Sequence, residues 1–103
     1  MIRMSVLYPA TAGSRFDWDY YLNTHMELTR RLLTPLGMVR AEVDRGIGGF
    51  PPGTPAPFHA IAYLMFPTLA DLQAAMGSAG MEIMADVPNY TDTQVVAQIS
   101  EAV

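Results

Sequence analysis

FHAIAYLMF, residues 58 to 66, decides how the rest of the chain is read. The stretch is rich in aromatic and aliphatic residues and has the composition of a strand. Its alternate positions form two sets. Phe58, Ala60, Ala62, Leu64 and Phe66 make one; His59, Ile61, Tyr63 and Met65 make the other. A sheet with one face in water shows a polar set on each strand. Neither set here is polar, so both faces of this sheet are predicted to be covered.

Working outward, residues 46–57, GIGGFPPGTPAP, are too dense in Gly and Pro for regular structure and form a long hairpin-like connection. Before them MVRAEVDR, 38–45, alternates as a second strand. After the quoted stretch, Thr68 and Asp71 resemble a capping box that opens a helix over LADLQAAM. Gly77 and Gly80 are read as an interruption, with MEIMADV as a further helical turn or two before Pro88. TQVVAQI, 93–99, is strand-like.

At the other end IRMSVLY, 2–8, reads as a strand ending at Pro9, and PATAGSR as a loop. Asp17 stands where an N-cap belongs. Trp18, Tyr21, Leu22, His25, Leu28, Leu32 and Leu33 then recur as a helical stripe, with Arg30 and Arg31 in the last turns and Pro35 and Gly37 as stops. The order β-α-β-β-α-β predicts a single α+β domain over 1–103, ferredoxin-like, with a four-stranded antiparallel sheet. Two helices cover one face of such a sheet. A second copy, packed sheet to sheet as a homodimer around a partly apolar cavity, is the economical cover for the other, since apolar burial yields roughly 25 cal/mol per Å².

Composition supports this and excludes several functions. Charged residues make up 16% of the 103 and apolar residues 50%, against about 25% charged in ordinary domains. A net charge of −4 argues against nucleic acid, whose binding depends on phosphate neutralisation. RNA-recognition modules of this topology carry basic residues beside aromatics on the third strand, and FHAIAYLMF has none. The absence of cysteine excludes disulfides, thiolate nucleophiles and iron–sulfur clusters. The longest apolar run, IAYLMF, falls far short of the ~18 residues of a membrane span, and the cytoplasm is the expected location. No flavin, haem or nicotinamide signature is visible, no phosphate loop, and no nucleophile elbow.

Chemistry then falls on few residues. The chain has two histidines. His25 lies on the apolar stripe four residues after Tyr21, close enough for phenol and imidazole to share a hydrogen bond or a ligand. Imidazole titrates near neutrality, so His25 beside a cavity is a proton carrier; the alternative is a half-buried helix histidine bonded to a backbone carbonyl. Trp18 and Tyr20 add to the aromatic load of the helix. His59 opens the third strand and is assigned with Tyr63 to the cavity, or else is an inert rim residue. Metal ligation needs His25 and His59 to meet Asp44 or Glu42, which helix and strand placement disfavours. The eight methionines fill gaps and suit varied apolar ligands. Asp86, Asn89 and Tyr90 form a polar turn before the last strand.

FDWDYYLNTHMEL (16–28), APFHAIAYLMF (56–66), EIMADVPNYTD (82–92) and QISE (98–101) closely resemble the EthD family of dimeric α+β barrel proteins, over essentially the whole chain. The resemblance implies a homodimer and a bacterial setting in which ethers such as ethyl tert-butyl ether are broken down beside a cytochrome P450 system. It implies a reductase-type oxidoreductase label, and its helix histidine and tyrosine fall on His25 and Tyr21. Three functions are expected. One is an oxidoreductase component without its own redox cofactor that binds a small apolar molecule. Another is a cofactor-free acid–base enzyme (isomerase, cyclase or dehydratase) on an activated carbonyl compound, with His25 and Tyr21 as catalytic groups. The third is a non-catalytic binding module. Trp18, His59, Tyr63, Asp86 and Tyr90 are the expected ligand contacts.

Overall fold

In the computed structural model, which describes all residues 1–103, four strands and two helices follow the expected order. Strand β1 (Ile2–Pro9) lies between β3 (Phe58–Phe66) and β4 (Val96–Glu101), and β2 (Arg40–Arg45) pairs with the far side of β3. All three pairings are antiparallel, giving the order β2-β3-β1-β4. This is the ferredoxin-like arrangement. No helix is long and apolar enough to cross a membrane.

The first helix spans 18–33. Asp17 caps it, its carboxylate accepting from the Tyr20 amide at 3.1 Å. A 3₁₀ turn over Thr34–Leu36 follows, and Gly37 stops the helix at φ 109°, a conformation that side chains disfavour. The second helix, Leu69–Ala85, starts as expected: the Thr68 hydroxyl accepts from the Asp71 amide at 3.1 Å. It is not interrupted at the glycines. Gly77 lies on its open side and Gly80 packs against Met76. Tertiary packing of Leu72, Ala75, Ala79 and Ile83 outweighs a propensity cost of about 1 kcal/mol per glycine.

The core lies between the helices and one sheet face, where Val6, Tyr8, Ala60, Ala62, Leu64 and Phe66 meet Tyr21, Met26, Leu33, Leu72 and Ile83. The opposite face is less uniform than β3 alone suggests. Register places Ser5 and Glu42 beside Tyr63, and Arg3 and Arg40 beside Met65, whereas Leu7 and Ile61 are neighbours at the other end. Arg40 donates to the Met65 sulfur at 3.4 Å and covers it. The outer face therefore carries an apolar pair at one end, with Asp44 of β2 beside Ile61, and several charges at the other. In the β2–β3 connection, Gly46 is pressed so closely on the Phe58 carbonyl that any side chain would collide, while Ile47 and Phe50 point fully into solvent.

Candidate functional site

The site begins with a backbone irregularity. Residues Tyr21–His25 form a π-turn within the first helix, and the Met26 amide bonds to the Tyr21 carbonyl. Such turns carry one surplus residue and recur at functional sites. Here the surplus residue changes the phase of the stripe. Tyr21, His25, Met26, Thr29 and Leu33 are buried, and Leu22, expected inward, is exposed.

The second contributor is the turn after the second helix. Asp86 caps that helix at its C-terminus, where the helix dipole disfavours negative charge. Its carboxylate is stabilised by three donors. Tyr20 Oη gives a bond of 2.7 Å and Asn89 Nδ2 one of 2.9 Å, both to Oδ1. His25 Nδ1 lies 3.0 Å from Oδ2. Burial pushes the Asp86 pKa up, but the bonds from Tyr20, Asn89 and His25 outweigh it and hold the carboxyl below its usual range. An ionised carboxylate only accepts, so the His25 proton belongs on Nδ1.

Burial pushes the His25 pKa below that of free imidazole, and the Asp86 carboxylate offsets this only in part. At neutral pH the ring is therefore uncharged, and Nε2, which bonds to no protein group, holds a free lone pair. His25 is 3% exposed and lines a cavity of about 90 Å³ between the helices and the sheet. Apart from His25 and Thr29 the lining is hydrophobic, including Met4, Met26, Met76 and Met84. Thr29 spends its hydroxyl on the His25 carbonyl at 2.9 Å. Tyr8, from β1, also lines the cavity and shares a 2.8 Å hydroxyl bond with Tyr90, whose ring centroid lies 4.5 Å from that of His25. Burial foremost raises the pKa values of Tyr8, Tyr21 and Tyr90, which remain phenols across the physiological range.

The expected residues divide accordingly. Tyr21 stacks on His25, centroids 5.6 Å apart and planes at 17°, rather than bonding to it; its buried hydroxyl has no partner. Asp86 and Tyr90 join the site through His25 and Tyr8. Trp18 lies outside the cavity, with the Arg45 guanidinium 4.3 Å from its ring and Phe16 alongside. His59 is the surplus residue of an irregularity where Tyr8 pairs with Ala60 and Pro9 with Phe58. Its Nε2 is 2.7 Å from the Ser14 hydroxyl, and its ring stacks on Phe16. Tyr63 faces the other side of the sheet, next to Arg3. No three His, Cys, Asp or Glu side chains converge.

Two polar contributors escaped sequence reasoning. Tyr8 ends the alternate set Met4–Val6–Tyr8, a signal that was available. Tyr20 was hidden, because residues five apart on a regular helix diverge by about 140°, and only the π-turn lets Tyr20 and His25 reach one carboxylate.

Comparison with known proteins bears on the family and the fold. The EthD domain family matches residues 13–94. The crystal structure of an EthD-like protein from Ralstonia eutropha JMP134 is 37% identical, covers 97% of this chain and 89% of its own, and superposes with a TM-score of 0.89. An ethyl tert-butyl ether D (EthD) family protein from Bacillus halodurans C-125 is 26% identical, covers 100% and 99%, and gives 0.78. A dimeric ferredoxin-like protein from an uncultured marine organism shares the fold at 12% identity, covering 100% and 95%, with a TM-score of 0.60. No curated protein sequence matches the chain.

Proposed function

We propose a function on the premise that this chain belongs to the EthD domain family: it binds a small, largely apolar carbonyl compound and moves a proton on it without a redox cofactor. The observation that carries this reading is the His25–Asp86 pair at the wall of an apolar cavity. A neutral imidazole with its tautomer fixed by a carboxylate is a general base. Nε2 takes a proton from the carbon next to the carbonyl, the electron pair moves to oxygen, and an enolate forms. The resulting imidazolium stays paired with Asp86 and returns its proton to another carbon or to the leaving oxygen. The Tyr8 phenol, with Tyr90 behind it, supports the enolate oxygen. Asp86 is a positioning residue, and Tyr21 holds the imidazole by stacking.

The test is exchange of α-protons in D₂O, followed by proton NMR with butanone and acetylacetone as probes. The protein accelerates exchange, and His25→Ala removes the acceleration while leaving the fold intact by circular dichroism. Equal exchange with and without the protein, or an unaffected His25→Ala, ends the proposal.

A second reading has one observation in its favour: the hydrophobic lining also suits an ether. The protein would then be an accessory, reductase-type oxidoreductase component in ether breakdown alongside a cytochrome P450 system. Faster loss of ethyl tert-butyl ether in such a system, insensitive to His25→Ala, would favour that reading over ours. A ligand that co-purifies and is never turned over would favour a pure binding module. Pairing of outer sheet faces in a homodimer is supported by Leu7 and Ile61 on that face and by the dimeric relative. Sedimentation at micromolar concentration tests it, a monomer counting against.

A further inference from the structure

The cavity that holds His25 is too small for most carbonyl metabolites. Its volume is about 90 Å³, whereas a dry engineered cavity of ~150 Å³ holds one benzene. A ligand with more than a few carbons must extend outside it. The direction is set by which lining residues are open to solvent. Val6, Tyr8, His25, Met26, Thr29, Ala62, Leu64, Ile83 and Val87 are all buried. Met84, at the end of the second helix, is 48% exposed, and Ala97 of β4 is exposed too. The wall is thus open between the second helix and β4.

What lies beyond that opening is also apolar. β4 is an edge strand, and register pairs Ala97 with Val6 and Ile99 with Met4, so both β4 residues share the helix-side face of the sheet with cavity-lining residues. Ile99 is 52% exposed. One helical turn before Met84, Met81 is 88% exposed. The strip from the cavity mouth over Met84 and Ala97 is uncharged as far as Ile99, and Glu101 follows on the same face. An unbranched apolar chain fits such a strip; a flat polar partner does not.

We propose that Met84, Ala97 and Ile99 form the outer half of the ligand site, and that the ligand is an elongated amphiphile whose carbonyl end sits at His25 and whose unbranched apolar chain passes Met84 onto β4. Met84 is then the specificity-determining residue, a flexible side chain that swings aside for the chain and reseals the mouth behind it. This rests on the carbonyl reading above for the identity of the head group, and on the exposed strip for the tail.

The test uses the full chain labelled at methionine ε-methyl groups with carbon-13, titrated with butanone, 2-hexanone, 2-octanone and 2-decanone. Butanone shifts the buried Met26 methyl. From 2-hexanone upward the Met84 methyl shifts as well, and affinity rises about fourfold for each methylene seated on the strip, about 16-fold between 2-hexanone and 2-octanone. Met84→Ser and Ile99→Ser, both at exposed positions, each reduce that gain to less than about threefold. Shifts at Met26 with a flat affinity series overturn the outer half while leaving the carbonyl reading intact. Chain-length-dependent shifts at Met84 with no acceleration of α-proton exchange overturn the carbonyl reading and leave the strip. Met84 shifts that follow protein concentration instead of ketone identify a second copy as the occupant and overturn the proposal.

Discussion

The two imidazoles touch the same aromatic cluster from different sides, and their surroundings differ in kind. His25 sits on a helix, 3% exposed, with a carboxylate on one nitrogen and an apolar cavity beside the ring. His59 sits on a strand irregularity, half-buried, with Ser14 on its Nε2; that serine also donates to the Thr11 carbonyl at 2.7 Å. Phe16 binds the two regions, stacking on His59 and packing edge-on against Tyr21, which stacks on His25. A histidine becomes a base when one nitrogen is held by a charge and the other meets an empty space. It becomes a latch when its nitrogen ties one backbone segment to another. Here the latch fastens the 10–17 loop to β3.

The sharpest way to break this comparison is activity. His25→Ala lowers α-proton exchange by about 10²–10⁴-fold, the usual contribution of general base catalysis, whereas His59→Ala stays within about threefold of wild type; equal losses would erase the distinction. Stability provides the next contrast. Asp86→Ala leaves the Tyr20 hydroxyl and the His25 Nδ1–H without their acceptor and costs about 1–3 kcal/mol in urea unfolding. Ser14→Ala removes a partly exposed bond and costs about 0.5–1 kcal/mol.

The smallest effect is on pH dependence. His25 has a folded pKa below its unfolded value of about 6.5. Between the two values the unfolded chain binds the extra proton, so stability falls as pH drops below about 6.5. Asp86, whose folded pKa is depressed, adds a loss in the same direction at lower pH, below the ordinary aspartate value of 3.8. His25→Gln flattens the upper part of this slope in unfolding curves taken between pH 5 and 7. An unchanged slope would mean that another group titrates there.

How much of this was legible in the sequence differs by element. Strand β3, the caps at Asp17 and Thr68, and the stop at Gly37 were readable because each depends on a few adjacent residues. The mixed outer face was not, since Arg3, Glu42 and Gln98 reach it only through strand order and register. Asp86 read as ordinary turn chemistry; its value comes from Tyr20 and His25, more than sixty residues earlier. His59 and Tyr63 looked alike as alternate members of one strand. A local irregularity turned the first toward Phe16 and left the second on the far side.

The π-turn at Tyr21–His25 holds one residue more than an α-turn, and this makes the site indifferent to the length of the segment. Removing one exposed residue from it, Asn23 for example, would let the helix close into regular geometry with Tyr20 and His25 four residues apart, about 40° around the axis and still on one side. Straightening the helix with all its residues in place would instead put the two about 140° apart and cost the shared carboxylate one of its two helical partners. A lineage could thus lose a codon here and keep both the fold and the pairing.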